Sequence, residues 1–339
     1  MESIVSLAVA LIVVFLAAEV FTNALEHLGE RMGVSEGVTG SIFAAVGTAM
    51  PETIIPLVAI VAGGASEAVN HEVGLGAILG APFMLATLSI GLMGWFAGRK
   101  RGWDTLLTPE VSGMKRDLSV FLIGYLLVVA AALLPQGWEQ ARVGFAFALF
   151  LLYFLYIMGT IKASRQLVDE GHATEADSTL HVAHLFGDST TMTVIQLLVG
   201  LVLLVVGAKM FVHGVELASS VMGVSALVVS LLIVPVATEL PEKVNSILWI
   251  RKGRDTLAFG NITGAMVFQG TVIPAAAMLL MPWNLQAGPA VAAILLALLG
   301  NGWLWYLSRS GRLSGRYLSM SMVLYGLFIA YILFGTVGN

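Results

Sequence analysis

The sequence predicts an all-α integral membrane fold of ten transmembrane helices in two inverted five-helix repeats. Three observations predict it: a hydropathy too high for a water-facing surface, basic residues confined to alternate breaks between apolar runs, and self-similarity at one fixed offset. Of the 339 residues, 58% are hydrophobic and 11% charged, which leaves too little polar surface to clothe a soluble domain of this size. Runs long enough to cross a hydrocarbon core lie near 3 to 26, 36 to 62, 73 to 97, 117 to 134, 141 to 162, 192 to 218, 224 to 250, 256 to 281, 285 to 307 and 316 to 335. The first run begins Met1-Glu2-Ser3 with no basic residue ahead of it, so it is expected to stay as a helix and not be cleaved as a leader. The chain has no cysteine, which excludes disulfides, thiolate metal sites and cysteine nucleophiles.

Fourteen of the 17 Lys and Arg fall in breaks after odd-numbered spans, among them Arg31, Arg99 to Arg101, Arg251, Lys252 and Arg254. The opposite side holds only Arg142, while Lys209 and Lys243 lie inside spans. The positive-inside rule makes the basic side cytoplasmic and places both termini outside. This regularity also checks the span count, because one missed span would scramble every later break. The expected location is a prokaryotic inner membrane.

Offset by 190 residues, Gly33-Val34-Ser35 aligns with Gly223-Val224-Ser225, and Thr48, Pro51 and Glu52 align with Thr238, Pro241 and Glu242. Phe21 pairs with Phe211 and Met32 with Met222 in the same register. Five spans per copy is odd, so the second copy enters from the other face and the repeats are inverted. Residues 1–162 form the first repeat, 163–191 a cytoplasmic loop and 192–339 the second repeat.

A carboxylate at bilayer depth costs several kcal/mol unless something compensates it, so Glu52 and Glu242 are functional candidates. Pro51 and Pro241 break the backbone ladder and are expected to free carbonyls around Ala45 and Val46, and around Pro235 and Val236. Thr48 and Thr238 precede their glutamates by four residues, one helical turn away on the same face. Such oxygen donors suit hard cations such as Ca²⁺ or Na⁺, and no imidazole or thiolate stands beside them for zinc or copper. The competing reading makes both glutamates structural polar groups that tie helices together. Each copy's third span carries a glycine line, Gly76 with Gly80 and Gly260 with Gly264, which allows close backbone packing. Only the second adds polar side chains, Asn261, Thr263 and Gln269.

Gly47-Thr48-Ala49-Met50-Pro51-Glu52 and Ala237-Thr238-Glu239-Leu240-Pro241-Glu242, each following Gly-Val-Ser and preceding a glycine-rich span, resemble the two alpha-repeats of the cation/calcium exchanger superfamily, which includes the sodium/calcium exchangers. The resemblance covers essentially the whole chain. It implies antiport of Ca²⁺ or a similar cation against Na⁺ or H⁺, with the first and sixth helices sliding past a core of the other eight. It also implies cation ligands at Thr48, Glu52, Thr238 and Glu242 and at the carbonyl of Ala45. The sequence departs from the family at Ala49 and Glu239, where a serine is usual, at Pro235, where an alanine is usual, and at Leu85 and Gln269, where an Asn or Asp completes the site. Several sodium ligands are missing, which argues against three sodium ions per cycle. One divalent site using Glu52, Glu239 and Glu242 remains open. Lys243 either snorkels along its helix or neutralises an acid in place of a bound cation.

Glu19 and Lys209 are equivalent under the offset and form a candidate ion pair across the axis. The segment 163–191, with Asp169, His172, His181 and His184, reads as a solvated acidic loop because no ligand spacing recurs. The expected partners are inorganic cations and the lipid bilayer, with no nucleic acid, no cofactor and a monomeric state. Within transport the alternative is proton coupling through Glu239 or Glu242; outside it, a degenerate exchanger acting as a sensor or scaffold. An enzyme is not expected, since no nucleophile–base constellation is visible.

Overall fold

A computed structural model describes the backbone of residues 2–31, 50–61, 63, 65–135, 137–168, 180, 189–283, 285 and 288–337, and the side chains of most of these, Glu242 being an exception. Thr48, Ala45 and residues 169–179 and 181–188 lie outside the described residues; of the segment expected as a loop over 163–191, the first residues continue α6 to Val168 and the last belong to α7. The helices are α1 (Glu2–Arg31), α2 (Met50–Val61), α3 (Glu67–Met84), α4 (Ile90–Arg101), α5 (Val111–Ala132), α6 (Glu139–Val168), α7 (Thr190–Met222), α8 (Ala226–Thr238), α9 (Leu240–Arg251), α10 (Asp255–Leu280), α11 (Pro289–Ser310), α12 (Gly315–Ser319) and α13 (Ser321–Val337). One π-helical turn, Leu85–Ser89, joins α3 to α4. Among the described residues seven helical segments are long and apolar enough to cross a membrane, and the shorter Pro51–Val61 and Ala226–Val236 are apolar too. Helix α5 is also long, but Lys115, Arg116 and Asp117 crowd its first two turns.

Local chemistry sets the boundaries. The repeated Gly-Val-Ser is a helix corner: Gly223 ends α7 at φ +66, and Ser225 caps α8 by accepting the Val228 N–H. Its first-copy counterpart at 33–35 is outside the described residues. Inside α3, Pro82 removes one ladder donor, and the wide π turn follows within a helical turn.

Two ends of the molecule emerge. Arg101 pairs with Asp255, Arg316 with Asp104, and Leu106 bridges Ser314, so the basic breaks after α4, α9 and α11 gather at one end. At the other, His71 lies 3.2 Å from the Pro282 carbonyl and Arg142 donates to Leu134 and Pro135 carbonyls at the end of α5. The lone basic residue of that side is therefore spent on a helix cap.

Among the described residues, buried apolar side chains form two clusters, one of which lies around α1 and α7 and the facing sides of α2, α3 and α8. Helices α1 and α7 run antiparallel along a seam in which a Cβ at Gly200 would meet Phe21, one at Gly207 would meet Val14 and one at Gly214 would meet Leu7, all at about van der Waals overlap. Under the 190 offset these glycines are the counterparts of Ala10, Ala17 and Ala24, which are also buried. Continuing the register places Lys209 opposite Ile12 and Glu19 opposite Val202. The two candidate partners are thus seven residues out of step, about 10 Å along the axis, and Lys209 makes no ion pair among the described residues.

Candidate cation site

Glu52 sits in the first turn of α2 and is only 4% exposed. In the second copy the helix is interrupted at one residue, Glu239, whose backbone leaves the helical region at φ −99, ψ 10. Pro241 then stands in the opening turn of α9, where its missing N–H costs nothing, with Glu242 beside it. Under the offset, α9 corresponds end to end with α2, so both glutamates occupy the first turn of equivalent segments. At the start of α9 the helix dipole favours a carboxylate.

The expected release of carbonyls takes a different form. Pro235 O accepts the Glu239 N–H at 3.2 Å and the Lys243 ammonium at 3.2 Å. The helix kinks at a single residue instead of unwinding, and the acceptor that Pro241 leaves unserved is the carbonyl four residues before it. The Thr238 hydroxyl, buried, donates to Val234 O at 3.0 Å and keeps its lone pairs for another partner.

Glu239 is 2% exposed, and each of its oxygens meets a donor: Gln269 Nε2 at 2.6 Å on Oε1 and Lys243 Nζ at 3.4 Å on Oε2. A carboxylate only accepts, which fixes the Gln269 amide with its nitrogen toward Glu239. Gln269 Oε1 is buried and has no hydrogen-bond donor among the described residues. On α10, Gln269 reaches Glu239 of the second Thr-x-x-Pro-Glu element, while Asn261 donates to Ser246 on α9 at 2.9 Å and Thr263 to Asp117 on α5 at 2.7 Å.

The two elements meet beneath α1. Pro51 from the first copy and Thr238 from the second line one small crevice with Leu11, Val14 and Phe15. The glycine line of α3 closes on α8 from the side, where a Cβ at Gly80 would lie 2.5 Å from Leu231 O and 2.9 Å from the Pro235 ring. Among the described residues, which do not include the Glu242 side chain, no three Asp, Glu or His side chains gather.

Asp117 escaped the sequence reading. It is buried on α5 and accepts from Thr263 and, at 3.1 Å, from the Tyr156 hydroxyl of α6, pinning three helices. The signal was available, an acid at the first position of the fourth apolar run, but it resembles an interfacial charge.

The sodium/calcium exchanger protein family model matches residues 2–162 and 192–336. The chain belongs to that family. Its members are transporters, not enzymes, and the chain is accordingly a membrane cation antiporter. The candidate antiporter CaxA of Alkalimonas amylolytica is 26% identical over 340 residues, covering 97% of either chain. The inner membrane protein YrbG of Escherichia coli is 26% identical over 281 residues, 83% of this chain and 80% of its own. The fold is that of the H⁺/Ca²⁺ exchanger CAX, with a TM-score of 0.67 at 15% identity over 98% of this chain and 86% of that one. It is likewise that of the sodium-calcium exchanger NCX_Mj, with a TM-score of 0.56 at 17% identity over 97% and 98%. The family match leaves out residues 163–191.

Proposed function

We propose that this chain exchanges Ca²⁺ or a similar hard cation for Na⁺ or H⁺, binding it near the midplane between Glu52 and Glu242. Thr48, Thr238, the Ala45 carbonyl and the free amide oxygen of Gln269 complete an all-oxygen shell. The architecture in this reading is ten spans in two inverted repeats, 1–162 and 192–339, with both termini outside a prokaryotic inner membrane. The observation that carries it is the crevice under α1, in which residues of both Thr-x-x-Pro-Glu elements face one space. Glu239 enters as a wall of the site and not as an open ligand, since Gln269 and Lys243 already engage its oxygens. The proton-coupled alternative then rests on Glu242.

Purified protein in liposomes tests this. Vesicles loaded with Ca²⁺ are placed under a Na⁺ gradient or a pH gradient in turn, and release is followed. Release under one gradient, abolished by Glu52→Gln with Glu242→Gln, is the expected result. Release that survives both substitutions refutes the site, and no divalent flux under either gradient favours a sensor or scaffold.

A further inference from the structure

The offset that equates Thr48 with Thr238 also equates Ala45 with Pro235. In the reading above, the Ala45 carbonyl is a cation ligand of the first half-site. Its counterpart in the second half, Pro235 O, carries the Lys243 ammonium at 3.2 Å, and the same nitrogen lies 3.4 Å from Glu239 Oε2. Lys243 is 5% exposed, so its stem does not snorkel to an interface but folds back over the kink to the last turn of α8. The geometry follows from the single-residue break: Glu239 and Lys243 stand four apart across it, which brings ammonium and carboxylate onto one face. Gln269 holds the other carboxylate oxygen and so aims Oε2 at the ammonium. A carbonyl and a carboxylate are what a small monovalent cation takes as ligands in a dry site.

We propose that the Lys243 ammonium is a built-in monovalent cation, filling in the second half-site the place a sodium ion would take against Pro235 O and Glu239. The acid is then neutralised by the chain itself throughout the cycle, and the protein binds one fewer exchangeable monovalent cation than its carboxylates would otherwise demand. This rests on the reading of Glu52 and Glu242 as the transported cation's ligands, and it names what sets the coupling stoichiometry there.

Equilibrium binding of radiosodium to the purified full chain, at mildly alkaline pH so that sodium and not a proton competes for Glu239, tests the proposal. Lys243→Gln is expected to bind one more sodium ion per protein than wild type, and Glu239→Gln with Lys243→Gln is expected to return to the wild-type count. A Lys243→Gln count equal to wild type overturns the proposal, as does an extra ion that persists in the double variant. Should the single variant not purify as a monodisperse protein, the double variant decides alone: a sodium count that differs from wild type refutes the built-in cation. Radiocalcium binding to Glu52→Gln with Glu242→Gln is measured in parallel. Its retention defeats the earlier site assignment and leaves the sodium difference to be read independently.

Discussion

Substituting Gly80 by alanine perturbs the packing behind the site with the least chemical change. The added Cβ would stand 2.5 Å from Leu231 O, 2.9 Å from Pro235 Cγ and 3.0 Å from Leu231 Cα. Two of these atoms are backbone and the third belongs to a ring fixed to it, so no rotamer change relieves the contact. Carbon contacts are comfortable at about 3.5 Å or more, so α3 and α8 must part by roughly half an ångström to an ångström. Overpacking of this kind costs about 1–3 kcal/mol, against a gain of up to about 1 kcal/mol from replacing a helical glycine. A net loss of about 1–2 kcal/mol corresponds to a fall in melting temperature of about 2–6 °C, measured by tryptophan fluorescence in detergent. Because α8 carries Pro235 and Thr238, calcium affinity should weaken with it. Gly302→Ala is the control: this glycine is exposed on α11, with nothing near its would-be Cβ among the described residues, and its melting temperature should hold or rise. A Gly80→Ala protein that melts at or above wild type refutes the close α3–α8 contact.

Arg101→Ala leaves the Asp255 carboxylate, 2% exposed in its side chain, with the Thr108 N–H and no cation, and should cost about 3 kcal/mol in a chemical unfolding series. Arg142→Ala strips donors from the Ala131, Leu134 and Pro135 carbonyls and should lower stability by about 1–2 kcal/mol in the same assay, since each lost hydrogen bond counts only net of water. Glu110 caps α5; hydrogen bonds from Ser112 and Gly113 and the charge of Arg116 hold its carboxyl below the ordinary value. A depressed pKa stabilises above the unfolded-state value and is lost as pH falls through the folded one. Wild type and Glu110→Gln should therefore differ in melting temperature at neutral pH and converge in acid, and a difference that persists in acid would assign the cap no ionic component.

Much of the scaffold is legible from the sequence because its signals are physical and local. The run read near 192 to 218 is observed as Thr190–Met222, and that near 256 to 281 as Asp255–Leu280. Gly-Val-Ser, noticed only because it recurs, proves to be a left-handed stop followed by a hydroxyl cap. The π turn at Leu85–Ser89 was not legible, since hydropathy is blind to the width of a helical turn. The directions of the polar side chains were not legible either. Asn261, Thr263 and Gln269 look alike in sequence, yet three different neighbours claim them: Ser246, Asp117 and Glu239. Which neighbour each finds depends on the azimuth of α10 against α5 and α9, a property of tertiary packing. Lys243 was ambiguous for the same reason, because its reach to Pro235 O exists only once the chain kinks at Glu239.

The seam between α1 and α7 constrains how the crevice over Pro51 and Thr238 could open. Small residues recur every seven along both helices, Ala10, Ala17 and Ala24 on one and Gly200, Gly207 and Gly214 on the other, and the glycines face Phe21, Val14 and Leu7 of the partner helix. A slide of α1 along α7 by less than seven residues would bring Leu7, Val14 and Phe21 out of the glycine notches and against larger side chains. It would also break the buried bonds from Gln196 to Asn23 and to the Val20 carbonyl, which pin one end of the seam. Toward the core, by contrast, the wall of the crevice is made of Leu11, Val14 and Phe15, apolar side chains without hydrogen bonds to the two Thr-x-x-Pro-Glu elements. The stepped contact within the pair and its buried hydrogen bonds predict that a displacement of α1 carries α7 with it. The register of the seam itself obeys the 190 offset, since exchanging α1 with α7 maps Gly200 opposite Phe21 onto Ala10 opposite Phe211.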